Sequence, residues 1–293
     1  MSSAAAGAQP PVPPLLAGLC DDAALFPPGN APVDAAVPAH RRYRSAWYAG
    51  LVGPFLLGPE RIDEVGAAAA GEPLDVVLVV RAGPAALSGA LARLARQPAL
   101  RLVGVELGPD AEGTPAQAAE RGRAALEREL PPGVTGVVEL RRGDGLEPAL
   151  DRLAGSGHRA KYRTGGLDPQ AVPSPGELAG FVVGCVARGL AFKCTAGLHR
   201  AVRHTDPATG RAQHGFLNIL AATDAALRGE PHRAEAVLDC REGGELAAAL
   251  TGARAAPLRA LFTAYGTCSV TEPLADLAAL CLLTRPDTTL ERA

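Results

Sequence analysis

Two lysines, Lys161 and Lys193, stand in a chain of 293 residues that carries 27 arginines. A desolvated ammonium can give up its proton and then attack a carbonyl or act as a base, whereas a guanidinium stays charged. Each lysine lies in a short apolar run that ends in small residues: His158-Arg-Ala-Lys-Tyr-Arg-Thr-Gly-Gly166 and Leu190-Ala-Phe-Lys-Cys-Thr-Ala-Gly-Leu-His199. In a strand, side chains alternate between faces, so Lys161 shares a face with Arg163 and Lys193 shares one with Thr195. If both faces turn into one confined space, burial and mutual repulsion each lower an amine pKa, which is how an imine-forming lysine is activated. Glu106 and Glu139 offer the opposite outcome, a buried ion pair that neutralises the amines. The plainest reading leaves both lysines as ordinary strand-end cations.

Apolar runs of strand length at 51–57, 74–80, 102–107 and 134–140 alternate with Ala-, Leu- and Arg-rich helical stretches, and the two lysine segments continue the rhythm. The runs are apolar on both faces, as strands of a parallel sheet covered by helices must be. Adding 15–20 as a first strand and 261–265 as a last one gives eight, the number of an α/β (β/α)8 TIM barrel. A doubly wound open sheet is the alternative, and no G-x-G-x-x-G follows any strand to support a dinucleotide site. The reading is a disordered tail over 1–14 and one barrel domain over 15–293. A long insertion follows the seventh strand over 200–256, beginning as a loop across the barrel mouth.

In such a barrel the chemistry collects at the C-terminal ends of strands. The residues falling there are Asp21 and Asp22, Arg81, Glu106, Glu139, the group Lys161, Arg163 and Thr164, and the group Lys193, Thr195 and His199.

At these positions the chain resembles the class I, Schiff-base-forming deoxyribose-phosphate aldolases. Lys161-Tyr-Arg-Thr-Gly is similar to that family's K-x-S-T-G segment, and Lys193-Cys-Thr-Ala-Gly-Leu-His to its K-A-S-G-G-I-R segment. Gly266-Thr-Cys-Ser269 is similar to the Gly-Thr-Ser-Ser turn after the last strand. The resemblance implies a lyase in which Lys161 forms the imine and Lys193 lowers its pKa. It also implies that Gly165, Gly166, Gly197, Gly266, Thr267 and Ser269 lie around the substrate, with backbone donors for a phosphate. Two departures stand out: Thr-Ala-Gly replaces Ser-Gly-Gly, and Arg163 replaces a small residue and could hold a substrate carboxylate or phosphate.

His199, His204 and His214 fall within 16 residues. Their spacing matches no standard zinc motif, yet with Asp21 or Asp22 they could bind a divalent metal and make the protein a metal-dependent hydrolase or lyase. His199 is also a candidate proton carrier. A barrel that binds a small ligand without catalysis is the third reading. A formal charge of -2 and a pI near 6.3 argue against nucleic acid as a partner. No apolar run reaches the roughly 20 residues that a membrane span needs. Six scattered cysteines without a C-x-x-C pair fit a reducing, cytoplasmic setting. The expected partner is a small-molecule substrate, with no resident cofactor on the lysine reading and with homo-oligomerisation left open.

Overall fold

Strands that are apolar on both faces need cover on both sides, and the chain supplies it with helices that follow the strands. In the computed structural model, which describes residues 12–285 except Ala70 and Leu167, eight parallel strands close into a barrel. They are β1 (Cys20–Asp22), β2 (Val52–Leu57), β3 (Leu74–Val80), β4 (Leu100–Leu107), β5 (Thr135–Glu139), β6 (Arg159–Arg163), β7 (Phe192–Thr195) and β10 (Phe262–Thr267). A short antiparallel hairpin, β8 (His204–Thr205) with β9 (Ala212–Gln213), interrupts the series between β7 and β10. Neighbours in the ring follow chain order, and β10 pairs with both β7 and β1 to close it.

The covering helices are α1 (Val33–Ser45), α2 (Ile62–Ala68), α3 (Leu87–Leu94), α4 (Pro115–Glu129), α5 (Leu146–Leu153) and α6 (Pro175–Ala187). After the hairpin come α7 (Phe216–Leu227), α8 (Ala234–Asp239), α9 (Gly243–Thr251), α10 (Ala255–Leu261) and, last, α11 (Thr271–Ala279). Thr114 and Ser174 close capping boxes with Gln117 and Glu177 at the starts of α4 and α6, each worth about 1 kcal/mol.

Two cores determine which way the strands face. Outside the ring, Tyr162 stacks on Phe181, which meets Phe192 edge-on, and Phe192 stacks on Phe262, with centroids 4.4, 5.3 and 5.3 Å apart. Tyr162 is next to Lys161 in β6 and Phe192 next to Lys193 in β7, so burying the rings under helices turns both amines inward. A one-residue slip would swap ring for amine, which makes the register costly to change. Inside, Leu56, Val77 and Val79 form a separate apolar cluster on the β2–β3 side.

One expectation changes and the insertion gains detail. The first strand is shifted: residues 14–18 form a turn in which Leu16 N donates to Pro13 O, and β1 begins only at Cys20. Asp21 and Asp22 therefore belong to the strand itself. The tail reading over 1–14 lies largely outside the described residues, but Val12 packs against the core. The insertion resolves into the hairpin, α7 and the short helices α8, α9 and α10. Among the described residues no helix is long and apolar enough to cross a membrane.

Candidate active site: alternating charges inside the barrel

Lys161 and Lys193 are direct register partners across β6 and β7, and Glu139 is the partner of Lys161 across β5 and β6. Strand neighbours in register point to the same side, so all three side chains enter the barrel. Glu106 arrives from β4 and Asp21 from β1. The result is a chain of contacts: Asp21 to Lys193, Lys193 to Glu106, Glu106 to Lys161, Lys161 to Glu139 and Glu139 to Arg163. Lys161 Nζ lies 2.9 Å from Glu106 Oε2 and 2.8 Å from Glu139 Oε2. Arg163 Nε donates to Glu139 Oε1 at 3.0 Å. Glu106, 1% exposed, gives one carboxylate oxygen to each amine. Three anions and three cations thus alternate, and every buried charge meets its opposite.

Of the two outcomes left open by the sequence, this arrangement is the buried ion pair and not the lowered amine pKa. Burial pushes the Lys161 amine down, but the carboxylates of Glu106 and Glu139 outweigh it and the pKa is raised. Lys193 is likewise raised, by Asp21 and Glu106 against burial. The amines meet through Glu106 and do not face each other bare, so their repulsion is screened. Burial pushes the Glu106 carboxyl up, while the two ammoniums together pull it down to about 2. Glu139 is lowered by Lys161 and Arg163 against its burial, and Asp21 is raised because burial exceeds the pull of Lys193.

An acid limb of stability follows from these directions. A carboxylate held below its unfolded value stabilises the fold above that value and loses the contribution as the pH falls through the folded one. Urea midpoints are therefore expected to drop between pH 4.5, the unshifted value for Glu106, and about 2. Asp21 acts in the opposite sense, so Glu106→Gln should flatten the limb. A midpoint that holds steady down to pH 2.5 in the parent would contradict the pairing.

The mouth has two compartments. An inner one of about 70 Å³ is bounded by Lys161, Glu106 and Glu139 on one side and by Leu56, Val79 and Phe26 on the other. It opens into a vestibule of about 1060 Å³ walled in part by the β8–β9 hairpin and the turn 266–269. Lys161 borders the inner compartment and Lys193 does not. Arg81, Arg163, Gly197, His199 and Cys268 border both, while Thr195 and Gly266 line the inner one and Gly165, Gly166 and Ser269 the outer.

The small residues after both lysines have a mechanical reason. A Cβ on Gly165 would lie 2.9 Å from Gly197 Cα, and Gly197 has φ +74°, so the two strand ends meet backbone to backbone. Thr164 fastens them, its hydroxyl donating to Thr195 O at 3.1 Å and Ala196 O at 2.6 Å. It is buried and committed to that role, which removes it from the substrate-binding set. Thr267 is similarly buried, with its hydroxyl donating to Ser269 O at 2.9 Å.

Asp22 also leaves the set. Adjacent to Asp21, it faces out of the ring, where its Oδ2 meets His40 Nδ1 at 3.0 Å under α1. The three-histidine cluster does not form. His214 is fully buried with Nε2 donating to Pro173 O at 2.8 Å, and burial drives its pKa down to about 4. His204 Nδ1 bonds Val202 O, and His199 Nδ1 bonds Glu272 Oε2 at 3.1 Å. Among the described residues no group of three His, Cys, Asp or Glu side chains is placed to hold a metal. Each ring is instead held by a different partner, Glu272, Val202 or Pro173.

Three neighbours of the site lie outside the set of candidates drawn from the sequence. Glu272 reads in sequence as a first-turn acid of a helix, yet it orients His199. Cys268 Sγ lies against the same imidazole, 3.7 Å from Nδ1. Phe26 supports Arg81, whose guanidinium carbon is 4.9 Å from the ring centroid. Comparison with family models, with curated proteins and with solved structures found no match to this chain.

Proposed function

We propose that the protein is a lyase of the aldolase type, forming a Schiff base between Lys161 and a small carbonyl substrate. One observation carries the reading: Lys161 alone of the two amines borders a compartment continuous with the vestibule, with a carboxylate on either side of it. The motif resemblance assigns the same lysine. In the resting protein that amine is protonated, so its proton first passes to Glu139 or Glu106 within hydrogen-bond reach. The free amine attacks the carbonyl carbon, and the oxygen leaves as water. The resulting iminium accepts the bonding pair of the adjacent C–C bond as a hydroxyl two carbons away loses its proton, giving an enamine and an aldehyde. Protonation of the enamine carbon and hydrolysis return the amine. Lys193 keeps Glu106 ionised and aimed, and His199 with Glu272 stands at the entrance as a proton carrier for the leaving or entering aldehyde.

Cyanoborohydride reduction in the presence of a carbonyl panel, with peptide mass spectrometry, tests it. The expected product is a secondary amine at Lys161. A carbonyl compound that is turned over without any adduct at Lys161 would exclude the mechanism.

A further inference from the structure

Arg163 spends only its Nε on Glu139, and among the described residues its terminal nitrogens have no hydrogen-bond partner. Arg81 rests on Phe26 and, among the described residues, makes no ion pair. Both guanidiniums border the inner compartment as well as the vestibule. Lys161 and Lys193 have their carboxylates already, so the half-exposed Arg163 and the exposed Arg81 are the unclaimed positive charge at the border of the inner compartment.

We propose that Arg163 and Arg81 hold a substrate carboxylate directly beside the carbonyl that Lys161 attacks, so that the substrate is a 2-oxo acid carrying a bulky substituent. This rests on the imine reading above. Distance sets the first half of the assignment. Arg163 is two residues beyond Lys161 on the same strand face, about 6.6 Å at the Cα level, and the compartment they share has room for only a few atoms. An anion bound there is attached to the carbonyl carbon or next to it. A sugar phosphate would instead carry its charge at the far end, toward the turn 266–269. That turn faces the wrong charge for a dianion: Glu272 borders the vestibule there. Two of its local donors are already used, Ser269 N on Thr267 Oγ1 and Glu272 N on Ser269 Oγ. A planar guanidinium edge also fits the two oxygens of a carboxylate. The vestibule of about 1060 Å³ sets the second half, being far larger than a three-carbon acid needs.

The same geometry couples binding to activation. Glu139 is shared between Lys161 and Arg163. A substrate carboxylate on Arg163 draws that guanidinium's field away from Glu139, and a carboxylate with less cation around it binds a proton more strongly. Glu139 then takes the Lys161 proton across 2.8 Å. The amine forms the C–N bond, and the carbonyl oxygen collects one proton from nitrogen and the one on Glu139 before leaving as water. The nitrogen keeps its last proton, leaving an iminium.

The test compares cyanoborohydride trapping at Lys161 by pyruvate, acetone and dihydroxyacetone phosphate in the full-length protein. Pyruvate should be trapped at lower concentration than either of the others. The pyruvate-to-acetone ratio should fall by about tenfold or more in Arg163→Gln and in Arg81→Gln, the loss expected for a charged hydrogen bond. Arg81→Gln touches no buried carboxylate and Arg163→Lys keeps a cation beside Glu139, so loss of the fold does not obscure the outcome; thermal unfolding checks each. Equal trapping of pyruvate and acetone, preference for the phosphate ester, or an unchanged ratio in both variants would overturn the assignment. Adducts with no carbonyl at all would overturn the imine reading itself. Calorimetric titration with oxalate, which cannot condense, reads the clamp separately: binding weakened about tenfold by Arg163→Gln supports it, and no binding to the parent overturns it.

Discussion

A Glu106→Gln protein is expected to be about 3–5 kcal/mol less stable than the parent at pH 7 and to lose its reaction with carbonyl compounds. Among the described residues Glu106 is the only carboxylate that touches both lysines. Removing its charge leaves two ammoniums, each at most 3% exposed, with one carboxylate apiece, where water cannot compensate for the lost partner. An amide can still accept from one amine, so the loss is electrostatic and not steric. Urea unfolding of the variant measures it. Adding Lys193→Met should recover part of the loss, because the unbalanced ammonium is then gone, and the two changes should be strongly non-additive. A Glu106→Gln protein within 1 kcal/mol of the parent would mean that the two amines are not both held as ammoniums by this carboxylate.

The second large effect separates the two lysines by their chemistry. Lys161→Arg keeps a cation between Glu106 and Glu139 but removes the only nitrogen at that place that can lose a proton. Adduct formation should vanish and turnover fall by on the order of 10³-fold or more. Lys193→Arg keeps the charge that Asp21 and Glu106 require, so the adduct should persist at Lys161. Adducts surviving in Lys161→Arg and vanishing in Lys193→Arg would move the nucleophile to β7. Full turnover in both variants would leave no role for either amine as a nucleophile.

The barrel was legible because its signal is local. The run from Leu74 to Val80 coincides with β3, and the Ser174 cap marks α6 within a residue. Which residues share a face with Lys161 and Lys193 was readable from alternation, but that this face is the inward one is decided by the Tyr162 and Phe192 rings packed outside. Their ionisation was not readable. Counting the cations on two adjacent strands gave repulsion and pairing with Glu106 or Glu139 gave the opposite; what decides is Glu106, 55 residues from Lys161 and 87 from Lys193 in the chain, reaching both amines. Asp21 and Asp22 could not be told apart without knowing that β1 starts at Cys20, because one position separates the reaction chamber from the space under α1. That helix itself was hidden by Pro38 in its interior, which reads as a breaker. The hairpin over the mouth has two residues per strand, too few to show a period.

In the proposed imine mechanism, the balance of charge among Asp21, Lys193, Glu106, Lys161, Glu139 and Arg163 has a consequence for the reaction coordinate. Swapping the ammonium of Lys161 for an iminium leaves the total unchanged, so the dipoles and counter-ions that accommodate the resting side chain need no rearrangement to accommodate the intermediate. It is the fleeting uncharged amine that finds itself out of place. For the proposed adduct, the barrel is a frozen solvent matched in advance, with its reorganisation completed when the chain folded.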